Sequence, residues 1–315
     1  MVSLSNHEIV APIRHESHPA TRGYSSIDNL PTIARGCGLA VSRQGGPWRQ
    51  RYAFAPVRLF ASYAKESLML HPLTDLLIDS RQSGRLVREL QSDLVPQTPE
   101  EAYQIQGEIV SKLGPVGAWK VQPLPESGQP FAAPILASTI FPDGATLRTA
   151  DFPNLAIEVE VALTLGRDLP PIAQGYSAAT VRDAIGSIHI AIEILSSRFA
   201  DSKSVPQLAG IADLQSGAGI VLGPAVPPDT LPEFSQQAME LSFDDAVIAT
   251  TPGNASTENV LSSLAWLANH AATRELPLKA GDVVITGARI GALPFSGKHV
   301  LARAPGLGEV SVAFE

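Results

Sequence analysis

The chain has a single cysteine, Cys37, among its 315 residues. An intramolecular disulfide is therefore excluded, and so is a thiolate metal site, which needs several cysteines. Histidine is scarce: there are seven, and His7, His15 and His18 fall near the start. A zinc site built from several imidazoles is not supported. Positive charge is in deficit, with 23 Lys and Arg against 31 Asp and Glu and a net charge of -8. That argues against a nucleic-acid binder, whose phosphate contacts need clustered cations. No apolar run approaches the ~18 residues that can span a bilayer, so no membrane association is expected. Any metal site must be built from oxygen or nitrogen donors.

What is present is the material of a globular core, 44% hydrophobic and 17% charged residues. The charge is unevenly placed. Residues 1–68 hold eight Lys and Arg against four Asp and Glu, so this segment is at +4 and the remainder at -12. With its Gly/Ser/Pro punctuation and no sustained period, it reads as a loosely ordered basic extension outside the main core. The stretch "RYAFAPVRLFASYAK" has the flavour of an organelle transit peptide. Glu8, Glu16 and Asp28 upstream stand against that reading, and a plain tail or a start at Met69 is the alternative. The expected location is cytoplasmic, or the mitochondrial matrix if this segment is a targeting signal.

An ordered domain is expected over residues 69–315. "TPEEAYQIQGEIVSKLG" predicts a helix capped by Thr98, with Pro99 at its first position and Gly114 at its end. "VGAWKVQPLPESGQPFAAPIL" reads as a short strand carrying Lys120, then a Pro/Gly-rich loop. "AIEVEVALTL" is a strand by its β-branched content. "SAATVRDAIGSIHIAIEIL" begins helical and ends as a strand, and "GAGIVLG" is a short buried strand. "MELSFDDAVIATTPG" places two strands around Asp244 and Asp245. "STENVLSSLAWLANHAATREL" is the clearest helix, capped by Ser256. "AGDVVITG" is a strand, and "KHVLARAPGLGEVSVAFE" a hairpin. The class is α+β.

Chemistry enters through acids in apolar surroundings. In a strand, Glu158 and Glu160 project from the same face, roughly 6–7 Å apart at the backbone. Anions that close repel unless water, basic partners or a cation compensate. Water would suffice on a solvated edge strand, but the polar alternation stops at Ala162. Glu193, in "HIAIEILSSR", is a third carboxylate in an apolar run; taken alone it reads as a partner for Arg198. Three carboxylates without thiols describe a site for a hard cation, Mg2+ or Mn2+. His189 would join it if its segment were helical, although a satisfied core or surface histidine is the simpler reading. Lys120, beside Trp119, either lies along the indole ring or serves as a proton donor, base or carboxylate clamp.

The segments "TPEEAYQIQ", "GAWKV", "IEVEVALTLGRDLP", "AIEILSSRFAD", "IADLQSGAGIVLG" and "LSSLAWLANHAATRELPLKAGDVVITGARIGALP" follow one another over about 240 residues. Together they resemble the 2-keto-4-pentenoate hydratase branch of the fumarylacetoacetate hydrolase superfamily. The resemblance implies a mixed β-sandwich roll with a divalent ion at its mouth, surrounding helices and a homo-oligomeric state. It implies Glu158, Glu160 and Glu193 as metal ligands and Lys120 as the catalytic lysine. It places Asp213 and Ser216 in a loop bordering the substrate, and Thr286 and Gly287 at a strand end that reaches it. The implied activity is hydration of a small 2-hydroxydienoate or 2-oxo acid through a metal-stabilised enolate. A 4-oxalocrotonate-type decarboxylase, an acylpyruvate hydrolase and a catalytically inactive metal-binding relative are the alternatives. Three departures stand out. Gln122 replaces a usual glycine, Ser196 replaces an acid, and the loop after Lys120 lacks an Asp often found there.

Overall fold

The computed structural model describes residues 70–229 and 231–315. The basic extension expected over residues 1–68 lies outside the described residues.

Two sheets organise the domain. Helix α1 (Pro72–Ser83) and helix α2 (Pro99–Leu113) come first. As expected, Thr98 caps α2 by accepting from the Glu101 amide, and the amide of Gly114 closes its end on Val110. Strands β1 (Val116–Val121), β2 (Ala132–Leu136), β3 (Ile140–Pro142), β4 (Ala145–Leu147) and β5 (Ala156–Leu165) follow. Then come α3 (Ala178–Arg182), β6 (Ile185–Leu195), α4 (Gln207–Ala212) and β7 (Gly217–Leu222). The chain finishes with β8 (Met239–Phe243), β9 (Ala246–Thr251), α5 (Thr257–Thr273), β10 (Val283–Pro294), β11 (His299–Ala304) and β12 (Gly308–Phe314).

A seven-stranded sheet runs β2-β1-β10-β5-β6-β7-β3, and a five-stranded sheet runs β4-β12-β11-β8-β9. Most neighbours are antiparallel, but β1 pairs with β10, β3 with β7 and β12 with β4 in parallel. The α+β class and the mixed-sheet architecture are borne out. Ile157, Val159, Val161 and Leu163 of β5 and Ile188, Ile190, Ile192 and Ile194 of β6 share one core with Val300, Val310 and Val312 of the second sheet. Because strand side chains alternate, this fixes which face of the large sheet carries the acids. That face bears the small apolar residues Ala118, Ala162 and Ala191, with Ile220, Val283 and Ile285.

The "SAATVRDAIGSIHIAIEIL" segment switches from helix to strand at Ile185, as expected. The strand in "AGDVVITG" runs on through Pro294, and its register slips repeatedly against β5 beyond Ile285. No helix among the described residues is long and apolar enough to cross a membrane.

Candidate metal centre

Strand pairing brings the acids together. Glu158 and Glu160 share a face of β5, and Glu193 on β6 sits directly opposite Glu158. One carboxylate oxygen from each lies within 4.8 Å of the others. Glu193 is fully buried, Glu160 is 2% exposed and Glu158 half-buried. This is not the solvated face of an edge strand, since β5 is central in its sheet.

Lys120 reaches the same place from β1. Its register partner on β10 is Ile285, which in turn pairs with Ala162 of β5, so all three share the acid-bearing face. Its Nζ donates to Glu193 Oε1 at 2.6 Å and to the Gln215 carbonyl at 3.3 Å. Burial alone would lower its pKa, but the charges of Glu193, Glu158 and Glu160 outweigh burial and raise it. Burial, reinforced by the charge of Glu158, pushes the Glu160 carboxyl up to about 7. Burial likewise drives Glu193 well above the usual carboxylate range, against the pull of Lys120.

Two backbone features frame the acids. The first is the break in register between Ile285 and Ala288 on β10. There Gly287 takes φ 95° and its amide donates to Glu160 Oε2 at 2.7 Å. A Cβ at this position would lie 2.5 Å from Pro123 Cδ, so a side chain is excluded by space as well as by conformation. The second is a turn in which Leu214, Gln215 and Ser216 all have positive φ, at 53°, 51° and 62°. Left-handed backbone costs a non-glycine residue roughly 1–2 kcal/mol. Asp213 fastens the turn. Its carboxylate accepts from the Arg198 amide at 3.0 Å and from Arg198 Nε at 2.5 Å, and its carbonyl from Arg198 Nη2 at 2.8 Å. The outcome is a carbonyl, that of Gln215, aimed at Lys120.

Of the residues singled out from the sequence, Glu158, Glu160, Glu193 and Lys120 converge. Asp213 and Thr286 are adjacent but their side chains are engaged elsewhere. Asp213 holds Arg198 and Arg81, while Thr286 Oγ1 donates to the Val161 carbonyl at 2.9 Å. Ser216 lies in the strained turn, and its carbonyl accepts from Ser196. His189 is on a strand, and its ring is satisfied by Thr164, Ser187 and the Gly223 carbonyl. Glu193 pairs with Lys120 and not with Arg198. Three polar atoms around the centre are buried without a partner among the described residues: Glu193 Oε2, Gln215 Nε2 and Arg289 Nε. Arg289, 5% exposed, donates to the Gly287 carbonyl at 2.6 Å and acts electrostatically on Glu160. The sequence reading passed over Gln215 and Arg289. Arg289 carried the same signal as the acids, a charge inside an apolar strand; Gln215 carried none.

An acid triad on paired central strands, with a lysine across the sheet, can be matched against known proteins. The fumarylacetoacetate (FAA) hydrolase C-terminal family model matches residues 106–314. The chain belongs to this family. A 2-keto-4-pentenoate hydratase from Burkholderia vietnamiensis is 34% identical over 190 residues, 59% of this chain and 70% of the relative. The TodF product hydratase of Pseudomonas putida is 28% identical over 257 residues, 76% of this chain and 93% of the relative. In fold, the chain is similar to 4-oxalocrotonate decarboxylase from Pseudomonas putida G7, solved with magnesium and adipate. That match has a TM-score of 0.69 at 20% identity, covering 78% of this chain and 97% of the other. The resemblance to the 2-keto-4-pentenoate hydratase branch is borne out, as is the expectation of an enzyme of the hydro-lyase kind.

Proposed function

We propose that the protein is a divalent-metal-dependent hydratase that acts on a 2-hydroxydienoate or 2-oxo monocarboxylate. The observation that carries this reading is the triad of half-buried Glu158 with buried Glu160 and Glu193, in which Glu193 Oε2 has no partner among the described residues and Lys120 Nζ lies beside it. Buried carboxylates without enough counter-charge are costly. A hard cation satisfies them, and an all-oxygen donor set suits Mg2+ or Mn2+. When bound there, such a cation supplies Lewis-acid stabilisation of the enolate form of a 2-oxo acid.

The remaining roles belong to the chain itself. Lys120, held charged by the acids and oriented by the Gln215 carbonyl, delivers a proton to substrate carbon. Gln215 Nε2, a buried donor without an acceptor, binds a substrate oxygen. Gly287 and its amide keep Glu160 in place. Asp213 acts as a positioning residue through the turn it fastens.

Charge selects the substrate class. Three ionised carboxylates against Lys120 and Arg289 leave the centre one negative charge in excess. A divalent cation turns that into one positive charge in excess, which a monocarboxylate neutralises. A dicarboxylate would overshoot, and this favours hydration of a monocarboxylate dienoate over decarboxylation of an oxalocrotonate-type dianion. The test is an ultraviolet assay of full-length protein against 2-hydroxydienoates, oxalocrotonate and acylpyruvates, with Mg2+ and with excess chelator. Consumption of 2-hydroxypenta-2,4-dienoate that requires Mg2+ or Mn2+ is expected. Full activity in chelator, or turnover of the dianion alone, would overturn the reading.

A further inference from the structure

Behind the strained turn lies a cavity of about 340 Å³, within the roughly 300–1,000 Å³ range of small-molecule sites. Its lining includes none of Glu158, Glu160, Glu193 or Lys120. Phe152, on its wall, belongs to the core between the sheets, and Phe141 and Ala218 pack against that core.

Two arginines, Arg81 and Arg198, line the wall. Both are held by one carboxylate, Asp213, whose side chain is 1% exposed. Arg81 Nη2 reaches Asp213 Oδ1 at 3.4 Å, and Arg81 Nη1 reaches the Gly217 carbonyl at 3.4 Å. Its Nε is buried and has no acceptor among the described residues. Among the described residues, two cations on one anion leave a buried positive charge in excess. Asp151, at the rim, is exposed and lies 3.6 Å from Arg148, so it does not make up the difference. Ser196 offers the wall only a neutral hydroxyl, whose proton goes to the Pro153 carbonyl at 2.5 Å. The rest of the wall is largely apolar, with Leu136, Phe141 and Phe152.

We infer that this cavity is a second ligand site, which takes a small organic monocarboxylate. The carboxylate head meets Arg81 and Arg198, and the apolar body lies against Leu136, Phe141 and Phe152. Such a ligand has a route to the metal centre. Arg81 and Arg198 also hold the Asp213 and Gly217 carbonyls, which bracket the turn that presents Gln215 to Lys120. Occupancy therefore changes how Lys120 is held. The binding half of the inference is independent of the proposed reaction; the coupling half rests on it.

Benzoate is the probe, and neutral benzamide its control. Calorimetry on full-length, chelator-treated protein removes any binding through a metal ion. One benzoate per chain is expected, with benzamide at least tenfold weaker. Ser196→Asp, which places a carboxylate on the cavity wall, should weaken benzoate at least tenfold, and Arg81→Gln should do the same. Glu160→Gln, at the metal centre, should leave benzoate affinity within twofold. Thermal melts establish that each variant is folded; if Arg81→Gln is not, Ser196→Asp alone decides. No binding, equal binding of benzamide, or loss in Glu160→Gln with retention in Ser196→Asp would each overturn the site. With Mg2+ restored, benzoate should change kcat at least twofold without competing with substrate, and Ser196→Asp should not respond. A purely competitive pattern, or the same response in Ser196→Asp, would overturn the coupling. A protein that binds benzoate as expected but turns over no dienoate would sink the proposed reaction and leave the site standing.

Discussion

Replacing Glu160 by Gln should make the metal-free protein more stable while destroying its response to metal. The Glu160 carboxyl is raised from 4.5 to about 7, chiefly by burial and then by the charge of Glu158. At about 1.4 kcal/mol for each tenfold change in ionisation, that penalises the ionised form by about 3 kcal/mol. Between pH 4.5 and 7 the unfolded chain has lost this proton while the folded chain keeps it. Wild-type stability therefore falls as pH rises through that window, and the full penalty is present above about pH 7. Glutamine has no charge to desolvate, and its amide oxygen still accepts from the Gly287 amide. In chelator at pH 8, Glu160→Gln should gain up to about 3 kcal/mol, or roughly 6–12 °C in Tm for a domain of this size. Near pH 4.5 both side chains are largely neutral and the gap should close. Added Mg2+ or Mn2+ should raise the wild-type Tm and leave the variant unmoved. Differential scanning calorimetry at both pH values, with chelator and with metal, checks all four corners. A variant less stable than wild type at pH 8, or a gap equal at both pH values, would refute the reasoning.

Metal affinity should rise with pH through about 7, because burial holds protons on Glu160 and Glu193 that a cation must displace. Calorimetry in buffers of different ionisation enthalpy should show proton release near pH 6.5; an uptake independent of buffer would contradict it. Lys120→Met should lower kcat by about 10²-fold or more, the scale of a lost acid–base group, with metal binding retained, as titration and steady-state kinetics would show. Asp213→Asn leaves Arg81 and Arg198 without their anion, and breaking a buried pair costs about 3–5 kcal/mol. It should lower stability in urea melts and, through the released turn, reduce kcat more than it changes KM.

The acid triad was legible because a strand imposes a period of two. Glu158 and Glu160 had to share a face, and charge on a buried face demanded a partner. That Glu193 faces Glu158 was not legible from the residues, since register depends on which strands neighbour one another. The helices α2 and α5 were read from their caps, Thr98 and Ser256, which are local signals. Strand β2 was missed because Pro134 and the Pro/Gly-rich segment before it look like a loop. β2 lies at the edge of its sheet, where a residue without an N–H is tolerated. The long continuation of β10 past Thr286 was hidden for a related reason: Gly287 reads as an ending, whereas the strand passes it with breaks in register against β5.

Asp213 shows the limit most clearly. A carboxylate in a loop between apolar segments invites a catalytic reading, and nothing local contradicts it. Its two guanidinium partners come from Arg198, fifteen residues away, and Arg81, 132 residues away. Only the tertiary structure reveals that the acid is spent on them. The same contacts hold three non-glycine residues at positive φ, a conformation their own side chains disfavour. Strain of this kind persists only where surrounding structure enforces it. Here the enforcement comes from buried ion pairs, and its product is one carbonyl oxygen placed on Lys120. The sequence signal of the site is thus carried by the groups that meet the cation. The groups that orient the lysine are specified by long-range pairing and leave almost no local mark.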